Sequence, residues 1–207
     1  MVSWAHAFAA EVLTPGGAAV DLTVGRGQDT LFLFQRLGPE GTIIGFDVQK
    51  EALADTAALL EDAGARVKNF SARKKPLPPT PQVSLICASH AEVGRYVAIA
   101  PQVVLANLGY LPGGDRGIAT RVESSRLALQ TSLALLAPGG RLIVVVYVGH
   151  EEGARESQMI EAWAAQLCSR SFYVLRLENF NRHQSPYLIV IERRTRSAGG
   201  QSAPTVC

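Results

Sequence analysis

The feature that most restricts this chain is the recurrence of short apolar runs between segments of helical periodicity. Residues 18–23, 42–47, 83–88, 103–106 and 141–147 form such runs, each closed by glycine, proline or polar residues. Runs of this length, apolar on both faces, read as strands buried inside a sheet. Between them, Leu53, Ala57 and Leu60 mark one face of a helix over 50–63, and Leu129, Leu133 and Leu136 mark another over 123–136. Strand and helix in alternation predict βαβ units, hence an α/β fold with a mostly parallel sheet. The last two apolar stretches, 172–177 and 187–192, read instead as an antiparallel hairpin.

The remaining elements fit this frame. Trp4, Phe8 and Val12 predict the buried face of a short first helix, and Met159, Ile160, Trp163 and Leu167 that of the last one. Residues 66–70 are a candidate edge strand, but 83–88 is preferred as the third strand of the sheet. Residues 66–82 contain Arg73-Lys-Lys-Pro-Leu-Pro-Pro-Thr-Pro81, too rich in proline for a regular element. At 207 residues, one domain over 1–194 accounts for the chain, with a polar, Gly/Ser-rich tail at 195–207 expected to be disordered.

A net charge of +2 says little about partners, although basic residues cluster at Arg66, Lys68, Arg73, Lys74 and Lys75 and again at Arg193, Arg194 and Arg196. Cys87, Cys168 and Cys207 are too few and too scattered for a disulfide framework or a zinc site, and His6 and His183 add no ligand spacing. No metal is expected. With no leader pattern and no run of membrane-spanning length, a reduced cytoplasmic protein without membrane contact is the expectation.

In open α/β sheets, ligands bind at the carboxyl ends of the strands, so the strand-end loops carry the functional reading. The first is Gly25-Arg-Gly27, followed by Gln28, Asp29 and Thr30 at a helix start; glycine there lets a ligand approach the backbone closely. Asp47 lies about 20 residues further, where a carboxylate can accept from a ribose diol. Dinucleotides and S-adenosylmethionine both use this layout. Thr30 stands where the dinucleotide fingerprint has its third glycine, and Asp29 would repel a pyrophosphate. The acids Asp21 and Asp29 suit the amine and sulfonium of S-adenosylmethionine better.

The second loop is Asn107-Leu-Gly-Tyr110, running on through Pro112, Gly113, Gly114 and Asp115. It resembles the Asn-Pro-Pro-Tyr corner of amino-group methyltransferases. Transfer to nitrogen needs acceptors that orient the N–H groups while the lone pair faces the methyl carbon, a positioning task for Asn107. Tyr110 is an aromatic able to stack on a base, and Asp115 a carboxylate able to take a proton. His90 and His150 occupy two further strand ends, and Cys87 reads as core, which disfavours a cysteine nucleophile.

Together, Asp21–Thr30, Phe46-Asp-Val-Gln49, Ser89-His90, Asn107–Asp115, Val146-Tyr-Val-Gly-His150 with Gly153, and 186–192 resemble, in order, the bacterial tRNA 5-aminomethyl-2-thiouridine methyltransferase family, earlier labelled rRNA methylases. The resemblance runs from residue 5 to 194. It implies a Rossmann-like class I methyltransferase fold with a seven-stranded, mostly parallel sheet and a C-terminal antiparallel hairpin. It also implies methyl transfer from S-adenosylmethionine to the aminomethyl group of a wobble uridine in the anticodon arm of tRNA. On this reading Asp21, Gly25, Gly27, Gln28, Asp29 and Thr30 hold the amino-acid end of the cofactor. Asp47 and Gln49 hold its ribose, and Ser89 and His90 border its adenine. Asn107, Tyr110 and Asp115 place the acceptor amine, Asn107 also contacting the cofactor, with Tyr110, Gly113, Gly114, His150 and Asn181 on the substrate side. The family's Gly-Asn-Gly loop is Gly25-Arg-Gly27 here, and the 70–82 excursion is longer than usual. Alternative functions are methylation of rRNA or of a small amine, a dinucleotide-dependent oxidoreductase, and a non-catalytic RNA-binding module; monomer and homodimer are both open.

Overall fold

The structure, a computed structural model, describes residues 1–71, 83–109, 120–149, 151–182 and 185–195. Most of the Pro/Lys-rich excursion and of the expected disordered tail therefore lie outside the described residues. In chain order the elements are α1 (Val2–Ala10), β1 (Ala18–Asp21), α2 (Gln28–Leu37), β2 (Thr42–Asp47), α3 (Lys50–Asp62), β3 (Val67–Ser71) and β4 (Val83–Cys87). A single 3-10 segment, His90–Arg95, leads to β5 (Val103–Leu108), α4 (Val122–Leu135), β6 (Arg141–Val146), α5 (Glu151–Ala165), β7 (Phe172–Leu177) and β8 (Tyr187–Arg193).

The strands form one sheet in the order β3-β4-β2-β1-β5-β6-β8-β7. Its first six strands are parallel, while β8 runs antiparallel to both β6 and β7. The expected α/β architecture and terminal hairpin are both present, but the sheet has eight strands rather than seven. The extra one is β3, which adds to β4 in parallel register at Val67↔Val83. A hydrophobic pattern reveals it poorly because it is an edge: Val67 packs against the core while Lys68 and Asn69 are exposed. Charged side chains on an edge strand also discourage pairing with another chain.

Side-chain alternation along each strand sorts the core into two layers. Val20, Ile44, Phe46, Val104, Ala106 and Val144 face α4, α5 and the 3-10 segment. Ala19, Ile43, Leu85, Val103, Leu105, Ile143 and Val145 face α1, α2 and α3. The first helix departs from expectation. Its buried residues are Ala5 and Ala9, Phe8 and Val12 are only partly covered, and Trp4 is 55% exposed. Two alanines four residues apart let α1 approach the sheet closely. Arg141 of β6 secures it there, donating to the Phe8 carbonyl at 2.8 Å and pairing with Glu11 and Glu192. Among the described residues, no helix is long and apolar enough to cross a membrane, and no cluster of potential metal ligands is present. Among the described residues, Cys87 is a free thiol.

Candidate active site

The same alternation that builds the core builds the site. On β1, Ala19 faces α1–α3, so Asp21 does too; on β2, Ile43 carries Asp47 to that face; on β5, Val103 and Leu105 carry Asn107; on β6, Ile143 and Val145 carry Tyr147. Four polar side chains thus converge at the carboxyl ends of four neighbouring parallel strands, on one side of the sheet. The glycine loop and the first turn of α2 lie over them.

Asp21 is fully buried, and its two carboxylate oxygens accept from the Thr23 backbone N–H at 3.0 Å and from the Thr30 hydroxyl at 2.6 Å. Burial, followed by repulsion from Asp29, pushes its pKa up to about 7. It therefore shapes the loop from beneath. Gly25 and Gly27 both have left-handed backbones, at φ 51° and 75°. Gly27 is the N-cap of α2, and a Cβ built on it would lie 2.7 Å from the Thr56 hydroxyl. Thr56, fully buried on α3, also donates to the Gly25 carbonyl at 3.3 Å.

Asp47 is held from both sides: the Gly25 N–H donates to one oxygen and the Gln49 N–H to the other, each at 2.9 Å. The carboxylate is thereby fixed against the glycine loop with lone pairs to spare for a diol. Ser89 caps the 3-10 segment, accepting from the Ala91 N–H at 3.2 Å. His90 behind it is buried, and burial lowers its pKa to about 4. Its Nε2 is buried without a hydrogen-bond partner. A neutral imidazole with one unused nitrogen matches an uncharged heteroaromatic edge better than a phosphate.

The centre of the site is Asp29. One oxygen meets His6 Nε2 at 2.6 Å, and the other accepts from Asn107 Nδ2 at 2.5 Å. Because a carboxylate only accepts, this bond sets the orientation of the amide. The nitrogen of Asn107 faces Asp29 and its Oδ1 is left buried without a partner. The Thr23 hydroxyl accepts from the Asn107 backbone N–H at 2.7 Å, which fixes the end of β5 to the loop after β1. His6 stacks on Phe32 with ring centroids 4.0 Å apart, so its imidazole is oriented as well. Tyr147 is half-buried close by, with its pKa raised by burial and by the charge of Asp29.

Beyond Asn107 the chain turns at Gly109, where φ is 134°. Tyr110, Gly113, Gly114 and Asp115 lie outside the described residues, as does His150. The two ends of that segment are joined. The Thr120 hydroxyl accepts from the Gly109 N–H at 2.9 Å and donates to Glu156 at 2.7 Å. Glu156, on α5 and buried, also accepts from Ser125 of α4. Asn181 is exposed on the turn between β7 and β8. His6, Thr23, Thr56, Thr120, Tyr147 and Glu156 were not singled out by sequence as site residues. Of these, Thr23 and Tyr147 stand within motifs that carry the family resemblance, and strand parity places Tyr147 on the same face as Asn107.

These features define a class: an open α/β sheet whose glycine loop, acidic strand ends and asparagine corner are those of a class I methyltransferase. Solved structures agree. A protein from Clostridium thermocellum described as an rRNA methylase superposes with a TM-score of 0.83 at 31% identity, over 93% of this chain and 96% of its own. A methyltransferase from Streptococcus mutans, solved in complex with SAH, gives 0.78 at 28% identity over 93% and 97%. A tRNA (mnm(5)s(2)U34)-methyltransferase, chloroplastic, of Arabidopsis thaliana is 31% identical over 198 residues, covering 92% of this chain and 68% of the relative. The family model described as "Putative rRNA methylase" matches residues 43–192, and the chain belongs to that family.

Proposed function

We propose that this enzyme, whose cofactor is S-adenosylmethionine, methylates the exocyclic aminomethyl group of wobble 5-aminomethyl-(2-thio)uridine in tRNA, in the cytoplasm. The observation that carries this reading is the buried, unpartnered Oδ1 of Asn107, left free by the Asn107–Asp29 bond. Such an acceptor matches an amine N–H.

The residues fit the cofactor. The neutral His90, beside Ser89, would hold its adenine, Asp47 with Gln49 its ribose, and Gly25, Gly27, Gln28, Asp29 and Thr30 its amino-acid end, the loop braced by Asp21. When bound, it supplies an electrophilic methyl carbon on sulfur. The chain's part is then mainly positional. Asn107 accepts one N–H of the acceptor amine and so aims the lone pair. Tyr110 stacks on the uridine base, and Gly113, Gly114 and His150 line the acceptor's approach. Asp115 takes the proton lost when the new C–N bond forms, and the amine has to arrive neutral.

The Arabidopsis relative supports a tRNA wobble uridine as the acceptor. The family's description favours a second reading, methylation of rRNA. Nucleoside mass spectrometry separates the two. Bulk tRNA and rRNA from a strain lacking the enzyme are incubated with protein and S-adenosylmethionine. A methyl group gained on 5-aminomethyl-2-thiouridine supports the proposal. Gain only in rRNA transfers the assignment to the alternative.

A further inference from the structure

Phe180 is 99% exposed, the most exposed large apolar side chain among the described residues. It sits on a defined turn: the Arg182 N–H donates to the Asn179 carbonyl at 3.2 Å, which makes Phe180 and Asn181 the two central residues. The base of the turn is well secured. Leu177 packs against the core, and Arg176 pairs with both Glu161 and Glu178 while its guanidinium lies 4.4 Å from the Tyr187 ring centroid. Glu178, two residues from the tip, is thus tied back to Arg176. A firm stem presents one aromatic ring to solvent between Asn179, Asn181 and Arg182.

The topology places this tip on the rim of the site. Tyr187, which begins β8, pairs with Val146 at the carboxyl end of β6, and Val146 pairs with Leu108, next to Asn107. β8 and β7 therefore stand two and three strands from β5, about 10–15 Å in lateral distance. That separation fits neighbouring nucleotides of one RNA loop. A lone ring flanked by amides and a cation suits an unpaired base, which offers a π-face, polar edges and a phosphate. A protein partner would fit Tyr173 and Leu175, exposed on one face of β7, better.

We propose that Phe180 is a base-stacking residue that grips an unpaired nucleotide flanking the acceptor, with Asn181 and Arg182 contacting its edge and phosphate. The inference rests on the reading that the substrate is RNA and names how the loop is held. It makes the β7–β8 turn part of the substrate interface.

The test uses an anticodon-arm RNA hairpin as the probe, with the full-length protein and its Phe180→Ala, Phe180→Leu and Phe180→Tyr variants. Hairpin affinity should fall about five- to 150-fold in the alanine variant, the loss of one stacked base. Leucine should not restore it and tyrosine should. SAH affinity by calorimetry should remain at the wild-type value in all three. Hairpin affinity within twofold of wild type for the alanine variant overturns the proposal, as does equal rescue by leucine. So does a wild-type protein that binds no hairpin, or an alanine variant that changes only oligomer mass. If the hairpin effect is found but tRNA is not methylated, stacking stands and the proposed acceptor fails. Methylation of tRNA with a silent Phe180→Ala gives the opposite result.

Discussion

Replacing Asn107 by alanine separates the two jobs its amide performs. The Nδ2 bond to Asp29, 2.5 Å long, is lost. A hydrogen bond to a charged group contributes about 1.5–3 kcal/mol. For a chain of this length the melting temperature should fall by about 3–12 °C. The acceptor Oδ1 disappears too, so the amine lies in the site unaligned. Misplacement of a reacting group by about 1 Å costs on the order of a hundredfold in rate. Asp29 loses this partner but keeps His6, and Asp47 and His90 are not touched, so turnover should fall far more than SAH affinity. Single-turnover methyl transfer to tRNA, with calorimetric SAH titration in parallel, reads both quantities. Asn107→Asp sharpens the test, because it keeps an acceptor but sets a carboxylate against Asp29. At roughly 3 Å and an effective dielectric of about 20, the repulsion is about 5 kcal/mol. The aspartate variant should therefore be less stable than the alanine one. A normal turnover in Asn107→Ala would refute the assignment of this residue to the acceptor.

Three other outcomes follow from the geometry. Asp21 has its pKa raised from 3.8 to about 7, so its contribution to stability is fully present below pH 3.8 and is lost as pH rises through 7. That swing is at most about 4 kcal/mol, and in Asp21→Asn it should vanish. Urea unfolding at pH 4 and pH 8 should show the variant gaining on wild type at the higher pH, and parallel curves would contradict the argument. Glu156→Ala leaves the buried Ser125 hydroxyl without its acceptor, costing about 1–3 kcal/mol, and removes the Thr120–Glu156 bond. With the Gly109–Thr120 junction loosened, KM for RNA should rise while SAH affinity stays; equal loss of both would show a general collapse instead. Gly27→Ala forces a side chain into a left-handed backbone, about 1–2 kcal/mol of strain, and against Thr56. SAH affinity should fall about tenfold or more, and unaltered binding by calorimetry would remove the loop from the cofactor site.

Much of this architecture is legible in the sequence itself. The strands of the sheet centre announce themselves because both faces are buried, so nearly every residue is apolar. The acids and the asparagine then stand out as polar residues at the strand ends, and alternation says which face they occupy. β3 was hard to read because an edge strand carries charge. The buried face of α1 departs from its apolar pattern because close packing favours Ala5 and Ala9 over the larger Trp4. Sequence could not supply the joins between distant segments. His6 and Asn107 reach Asp29 from 23 and 78 positions away, and Thr120 reaches Glu156 across 36. Contacts of that kind depend on how α1, α2 and α5 dock on the sheet, and no local pattern encodes the docking.

The shared side of the sheet has a consequence for how such a chain can change length. Asp21, Asp47, Asn107 and Tyr147 keep one face because each lies an even number of positions from an inward-facing residue of its own strand. Inserting or deleting a single residue within 103–107 would exchange Asn107 for a neighbour and direct its amide into the opposite layer. A segment that only connects strands has no such parity to keep. Length variation is thus permitted between strands and forbidden within them, so relatives can differ freely in their loops while the spacing inside each of these strands stays fixed.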